Sequence, residues 1–591
     1  MNTIRPLPLV LAICTALALG ACARQSAPPQ KSEGTASSVR EEGDAQLADV
    51  ARAQSSQVVA AKVRAEAQRL NVVSQEAVAS GAIATPTAPP AVIAPSPAPP
   101  SGPADRLGLN QPTDTEQYAE IEANPVIAAA EQPVSTFSVD VDTGAYSNVR
   151  RFLTQGSLPP TDAVRIEEFI NYFDYDYPRP TSLERPFSVN TELATAPWNS
   201  QRWLLQVGLK GFEVPFEQIP ASNLVFLLDV SGSMMEPNKL PLVKTALKMA
   251  VEQMRPQDRI AIVVYAGAAG LVLPSTPASE KATIMAALDA LEAGGSTNGG
   301  QGIQLAYQVA REHLVDGGVN RVILATDGDF NVGLVDQQDL EDLVTRERKS
   351  GIALTTLGFG QGNYHDETAE RLADLGNGNH AYIDSEREAR KVLVQELGAN
   401  LLTIAKDVKI QIEFNPAVVA EYRLIGYENR MLAREDFNND AVDAGEIGAG
   451  HTVTALYELT PVGSQATRLP PLRYADADAA QGKASEIAFL KLRFKQPDAD
   501  QSELIEQAIA KPAQIGQGSV QLQFAAAVAA FGEALRGGKY LDSFSYEKIA
   551  QLARRAEGKD PYGFHAEFVE LVNRAATLSG EEAEGQIAIA R

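Results

Sequence analysis

No phenylalanine, tryptophan or tyrosine occurs before Tyr118, so all 19 Phe, 16 Tyr and 2 Trp of this 591-residue chain fall in its later part. A segment without aromatics has little with which to build a core. Packed structure is therefore expected only beyond residue 117, where the chain is long enough for about three folded units. Charge follows the same division. Residues 118–591 hold 42 of the 51 basic and 65 of the 75 acidic side chains. That acidic body argues against nucleic acid as a partner, because phosphate binding needs a basic surface.

The first residues carry a targeting pattern. Arg5 precedes an apolar stretch, Leu7 to Leu19, that is too short to span a bilayer comfortably. Leu19-Gly20-Ala21-Cys22 resembles the lipobox of bacterial lipoproteins. The resemblance implies a signal peptide over 1–21, cleavage before Cys22 and lipidation of its thiol. Attachment to the membrane would then run through that lipid. Ala23 is not the Asp of an inner-membrane retention signal, which favours the outer membrane of a two-membrane bacterium. The only other cysteine, Cys14, leaves with the signal, so the exported body has no disulfide and depends on its core.

Residues 22–117 read as a disordered Ala/Pro-rich stalk. Residues 81–103 contain 8 of the 35 prolines and form a semi-rigid spacer. Order is expected to begin near Glu116. A family-specific N-terminal region (118–221) opens with a strand over Val134–Asp140, then helices at Ala145–Gln155 and Ala163–Phe173 and strands at Phe187–Ala196 and Trp203–Lys210. Short apolar strands then alternate with amphipathic helices over 222–404, the pattern of a doubly wound, mainly parallel α/β sheet with helices on both faces. One strand, Gly270–Leu273, follows its predecessor after a tight turn and suits an antiparallel edge. Glu386–Ile404 reads as one helix. A β-rich C-terminal region (405–500) and a helical one (501–580) follow. Antiparallel signals on both sides of 222–404 suggest that 187–210 and 408–494 pair, making the α/β unit an insertion.

The chemistry-bearing pattern lies in that unit. The first strand ends in Asp229-Val-Ser231-Gly-Ser233, placing three oxygen side chains at the carboxyl end of a central strand, where such sheets bind ligands. A Gly-rich loop ending in Thr297 and the pair Thr326-Asp327 run to the same edge. Hydroxyl and carboxylate oxygens without Cys or His suit a hard cation such as Mg²⁺, with Mn²⁺ or Ca²⁺ as alternatives.

Asp-x-Ser-x-Ser, a later Thr and a later Asp resemble the metal-ion-dependent adhesion site of von Willebrand factor type A domains. The resemblance implies metal ligation by Asp229, Ser231, Ser233, Thr297 and Asp327. It also implies a protein partner that offers a carboxylate to an open coordination position. Asp329 is expected to be a turn or supporting residue, and Met234 and Met235 are either a rim or core. Ser135–Thr143, Arg165–Phe173, Tyr427–Arg430 and Ala444–Thr454 resemble the segments flanking this domain in a narrower group of bacterial lipoproteins.

Other candidates have simpler explanations. Asp436-Phe-Asn-Asn-Asp440 opens like a calcium loop, but Ala441 and Ile447 stand where Gly and Glu are required. Asp140 and Asp142 fit a strand end and helix cap, and Gly358–Gly362 fits a turn. The five histidines show no metal spacing, His451 reads as a packing residue, and no nucleophile–base pair is visible. The expected function is therefore non-enzymatic: an envelope-anchored lipoprotein that binds a protein through a divalent-metal-dependent site. Alternatives are an accessory subunit presenting clients to an ATPase or assembly machine, and a metal-assisted hydrolase.

Overall fold

A computed structural model describes residues 116–297, 299–328, 337–362, 364–470 and 485–580. The signal peptide, Cys22, the stalk up to residue 115 and Asp329 lie outside them.

Before the α/β unit the chain forms β1 (Ile127–Ala128), β2 (Val134–Ser138), α1 (Gly144–Thr154), α2 (Ile166–Asn171), β3 (Phe187–Ala196) and β4 (Asn199–Gly211). The unit itself runs β5 (Ser222–Asp229), α3 (Leu240–Gln253), β6 (Arg259–Tyr265), β7 (Ala269–Pro277), α4 (Lys281–Asp289), α5 (Gly299–Glu312), β8 (Val319–Thr326), α6 (Gln337–Lys349), β9 (Ala353–Phe359), α7 (Asp366–Leu375), β10 (His380–Ile383), α8 (Glu386–Arg390) and α9 (Leu397–Leu401). After it come β11 (Thr403–Phe414), β12 (Val419–Ile425), β13 (Ile447–Gly448), β14 (Thr452–Pro461), β15 (Glu486–Lys495), β16 (Ser502–Ala510) and helices α10 (Val520–Leu535), α11 (Tyr546–Arg555) and α12 (Phe564–Ser579).

The central sheet has the order β10-β9-β8-β5-β6-β7. Its strands are parallel except β7, which folds back antiparallel on β6 as the tight turn required. Strand β5 is buried along its whole length, consistent with Leu224-Val-Phe-Leu-Leu228 being apolar on both faces. One face packs Phe226 and Leu228 on Val243 and Leu247 of α3. The other packs Val225 and Leu227 on Ile303, Ala306 and Ala310 of α5.

Strands from before and after this unit share two further sheets. β4 pairs antiparallel with β14 in the order β1-β12-β14-β4-β3, while β2 pairs with β11 beside β15 and β16. Leu205, Val207 and Leu209 of β4 share one core with Ile410, Ile412 and Phe414 of β11 and with Leu490 and Leu492 of β15. The α/β unit is thus inserted into a sandwich, the arrangement the antiparallel signals suggested. A third core joins α1 and α2 to α10–α12, with Phe173 edge-on to Phe524 and Phe568. Serine oxygens cap two of these helices: Ser519 accepts from the Leu522 N–H and Ser545 from the Lys548 N–H.

Two local expectations are corrected. Glu386–Ile404 is not one helix: it breaks at a π-turn, Lys391–Gln395, and β11 already begins at Thr403. Ser502–Ala510, inside the stretch expected to be helical, is strand β16. Ile505, Gln507 and Ile509 alternate inward there while Leu504, Glu506 and Ala508 face out, a two-residue period that so short a charged segment shows only weakly.

Three arginines, Arg150 and Arg165 buried and Arg430 partly so, fasten the inserted unit to its flanks. Arg150 pairs with Glu388 (2.7 Å), with Asp384 and with Glu567 of α12 (3.1 Å). Arg165 pairs with Glu168 and, across the junction, with Asp366 of α7. Arg430 reaches Glu370 (2.9 Å) and Asp374 of α7 and Asp140 (3.4 Å) of the N-terminal region. The segment expected to hold only a helix cap, Asp140-Val-Asp142, belongs to this network: Asp142 accepts from the His380 N–H at 2.8 Å.

Carboxylates outnumber cations here, and burial pushes Glu167 up to about 8 and Glu168 up to about 7. A carboxyl group that stays protonated when folded but ionises when unfolded stabilises the fold at low pH. It loses that contribution as pH rises through its folded pKa. Asp366 runs the other way. Burial would raise it, but Arg165 and His380 hold it below the usual range, so its contribution is lost only in stronger acid. In EDTA, the melting temperature is expected to be higher at about pH 5.5 than at about pH 8. A melt series showing no change, or the reverse, contradicts this.

Candidate metal centre

The order of the central sheet reverses between β5 and β8, the position at whose carboxyl ends such sheets place ligands. Asp229 is the last residue of β5, and Asp327 follows Thr326, the last residue of β8. Both carboxylates are fully buried. Asp229 Oδ1 accepts the Ser231 N–H at 2.8 Å, so the loop turns immediately after the strand. The Ser231 and Ser233 hydroxyls lie 2.9 Å apart.

The Thr297 loop is stitched onto this turn by its backbone. Gly294 N–H donates to Val230 O at 2.7 Å and Gly232 N–H to Gly295 O at 3.0 Å. Gly295 has φ +88°, a conformation that favours glycine. The loop leaves Thr297 half-buried just before α5. Strand ends and stitched loops thus gather all five expected residues at one edge. Met234 is core and Met235 is 68% exposed beside the serines, which separates the two readings of that pair.

Two oxygens report what the site lacks. Asp229 Oδ2 and Asp327 Oδ1 are buried with no donor at good hydrogen-bond geometry. The nearby Tyr265 hydroxyl favours the ionised form of Asp229, yet the arrangement is costly unless something binds both oxygens. Burial, then the Asp327 charge, pushes Asp229 up to about 7. A divalent cation between the two oxygens would satisfy both and return Asp229 to its ionised form. The neighbouring donors are hydroxyls, so the set fits a hard ion. Asp229, Asp327, Ser231, Ser233 and Thr297 would hold it.

One further group enters the centre. Lys239, 4% exposed at the start of α3, places its Nζ 2.9 Å from Asp327 Oδ2. Its side chain crosses Gly360, where an added Cβ would lie 2.4 Å from Lys239 Cε. The Gly358–Gly362 turn therefore makes room for lysine, and a phosphate loop is not needed to explain it.

Two other clusters of charged groups have partners of opposite sign. Asp407, Asp443 and Glu446 bring carboxylate oxygens within 4.8 Å of one another, just beyond the loop that opens like a calcium site. Lys495 lies 2.7 Å from Asp407, Arg348 lies 2.5 Å from Asp443, and Arg321 feels the Glu446 charge. A cavity of about 1170 Å³ at the junction of the three cores is lined by Lys391, Glu396, Lys210, Asp174 and His451. Lys391 pairs with Glu396 (2.6 Å) and Lys210 with Asp174 (3.3 Å). Burial pushes His451 down to about 3, and its Nδ1 accepts the Gly448 N–H, as suits a packing residue. Among the described residues, no helix is long and apolar enough to cross a membrane.

Comparison with known proteins agrees with the fold. Residues 223–396 match the von Willebrand factor type A domain, residues 112–206 a model described as von Willebrand factor, and residues 399–578 one described as "Uncharacterized protein YfbK, C-terminal". The chain is 50% identical to the Escherichia coli K12 protein YfbK over 469 residues, which cover 78% of this chain and 81% of the relative. Human inter-alpha-trypsin inhibitor heavy chain H4 is 35% identical over 149 residues, 23% of this chain and 16% of that one. Among solved structures, a von Willebrand factor type A protein from Catenulispora acidiphila aligns with 68% of this chain and 91% of its own, at 15% identity and a TM-score of 0.40. Matched by YfbK over most of both lengths, and with a type A domain set between family-specific segments, the chain belongs to the YfbK family of bacterial von Willebrand factor type A proteins.

Proposed function

We propose that this protein captures a protein partner at the cell envelope through a divalent cation held by Asp229, Ser231, Ser233, Thr297 and Asp327. Type A domains generally mediate protein–protein interaction, often with a metal. The observation that carries the metal reading here is the pair of buried oxygens with no donor at good geometry, Asp229 Oδ2 and Asp327 Oδ1. The exposed Ser233 and Met235 leave one side of the centre open to a second molecule. A carboxylate oxygen from that molecule would complete the coordination shell, and Met235 would supply apolar contact. Binding through the ion alone would be modest, so a stable complex needs surrounding surface as well.

The anchor is part of the proposal. Leu19-Gly20-Ala21-Cys22 supports a lipid on Cys22, and Ala23 supports the outer membrane. We read the role as binding rather than catalysis. Within this domain the buried His380 of β10 is engaged by Thr356 (2.9 Å) and Tyr364 (2.6 Å).

The proposal predicts that full-length protein used as bait in envelope extract retains a partner in Mg²⁺ and releases it in EDTA. Asp229→Ala should retain nothing in either buffer. Retention by the wild type that EDTA leaves unchanged, or equal retention by the variant, rejects a metal-dependent contact.

A further inference from the structure

We propose that Lys239 is a built-in counter-charge of the metal centre, one that weakens its hold on the cation and reserves the open coordination position for an anionic ligand. The inference rests on the metal reading above and adds a residue that the five-residue pattern does not contain.

The geometry is that of a constructed contact. Lys239 is 4% exposed and its Nζ lies 2.9 Å from Asp327 Oδ2. Its backbone is fixed at the first turn of α3, with its N–H donating to Glu236 O and its carbonyl accepting from Val243. Its methylenes lie over Gly360, whose φ of +78° and missing Cβ leave the channel they occupy. The other oxygen of the same carboxylate, Asp327 Oδ1, is the one with no donor at good geometry. Asp327 therefore offers one oxygen to the ammonium group and the other to the cation.

Charge counting gives the consequence. Among the described residues of the centre, Asp229 and Asp327 contribute two negative charges and Lys239 one positive. Loaded with a divalent ion, the centre carries a net positive charge; without Lys239 it would be neutral. Two cations sharing one buried carboxylate repel each other strongly, because water is not there to screen them. Lys239 therefore favours the metal-free state and raises the dissociation constant for the ion. The same excess charge makes the loaded centre prefer an anion over water at its open position. A carboxylate from a partner protein then does what the two aspartates alone do not: it brings the site to neutrality.

A purely positional role predicts the opposite sign. If Lys239 only oriented Asp327, its removal would disorder a ligand and weaken the metal. The two roles are separated by titrating full-length protein with Mn²⁺ and following the free ion by electron paramagnetic resonance, with and without acetate as a carboxylate probe. We expect Lys239→Met to bind Mn²⁺ about tenfold more tightly than wild type. Acetate should tighten Mn²⁺ binding to the wild type and have little effect on the variant. Lys239→Gln, read in the same way, serves if the methionine variant does not fold. Equal or weaker Mn²⁺ binding by the variant overturns the role of Lys239 while leaving the metal centre intact. Absence of Mn²⁺ binding by wild type, Lys239→Met and Asp327→Asn alike overturns both.

Discussion

Replacing Arg430 with methionine is expected to destabilise the folded body by about 3–5 kcal/mol near pH 8, the cost of removing one partner from a buried ion-pair network. The guanidinium serves Glu370, Asp374, Asp140 and, at 3.8 Å, Asp142. Those carboxylates come from both the inserted domain and the N-terminal region, and all lie among other acids. Without the arginine Asp140, Asp142 and Glu370 are left as buried like charges, while Asp374, 40% exposed, is screened by water. They have one escape, which is to bind protons, and burial already pushes Asp142 well above the usual range. The loss should therefore shrink as pH falls toward about 5.5, where the orphaned groups become neutral. Urea unfolding at both pH values checks this. A loss below about 1 kcal/mol at pH 8, or one of equal size at both, would show that Arg430 does not carry the junction.

That network bears on function because it sets how the metal centre is held. Arg150, Arg165 and Arg430 bind the inserted domain at α7 and around α8, at a distance in sequence from Asp229 and Ser231. The sandwich and the helical core thereby present the domain as a fixed part of a larger body. A partner docking on the exposed rim at Met235 meets a preorganised surface, which lowers the ordering cost of binding.

The places of the candidate ligands could be read from the chain because they depend on local rules. An aspartate ending an apolar strand, serines at alternate positions after it, a glycine-rich loop before a helix and a second aspartate after a later strand each declare their place. The sheet brings those places together without further information. Lys239 was not visible in this way. It looks like an ordinary residue opening a helix, and its entry into the centre depends on Gly360, more than a hundred residues later. The arginine network was hidden for the same reason. Arg165 and Asp366, or Arg430 and Glu370, meet only after the strands on either side of the insertion have paired. The antiparallel patterns at 187–210 and 408–494 did announce that pairing. The π-turn at Lys391–Gln395 and strand β16 did not announce themselves. One is a break inside a helical pattern, and the other is a charged strand whose inward side holds only Ile505, Gln507 and Ile509.

The second large effect concerns the cation itself. If Asp229 Oδ2 and Asp327 Oδ1 are completed by a divalent ion, the ion binds only the folded state and stabilises it by mass action. At about a hundred times the dissociation constant the gain is about 2.7 kcal/mol. Binding must also displace the proton that burial favours on Asp229, held up to about 7. The gain should therefore be full at about pH 8 and fall below about pH 7. Thr297→Ala removes a hydroxyl from a half-buried loop position, and Asp327→Asn removes a charge while leaving an oxygen for the buried Lys239. Those variants should fold and yet lose the response. The most direct test is a thermal melt of the full chain across a Mg²⁺ titration near pH 8, beside both variants. A saturable rise in wild-type melting temperature that is absent from Thr297→Ala and Asp327→Asn is the predicted result. An identical response in all three proteins, or none in the wild type, would contradict a metal centre at this site.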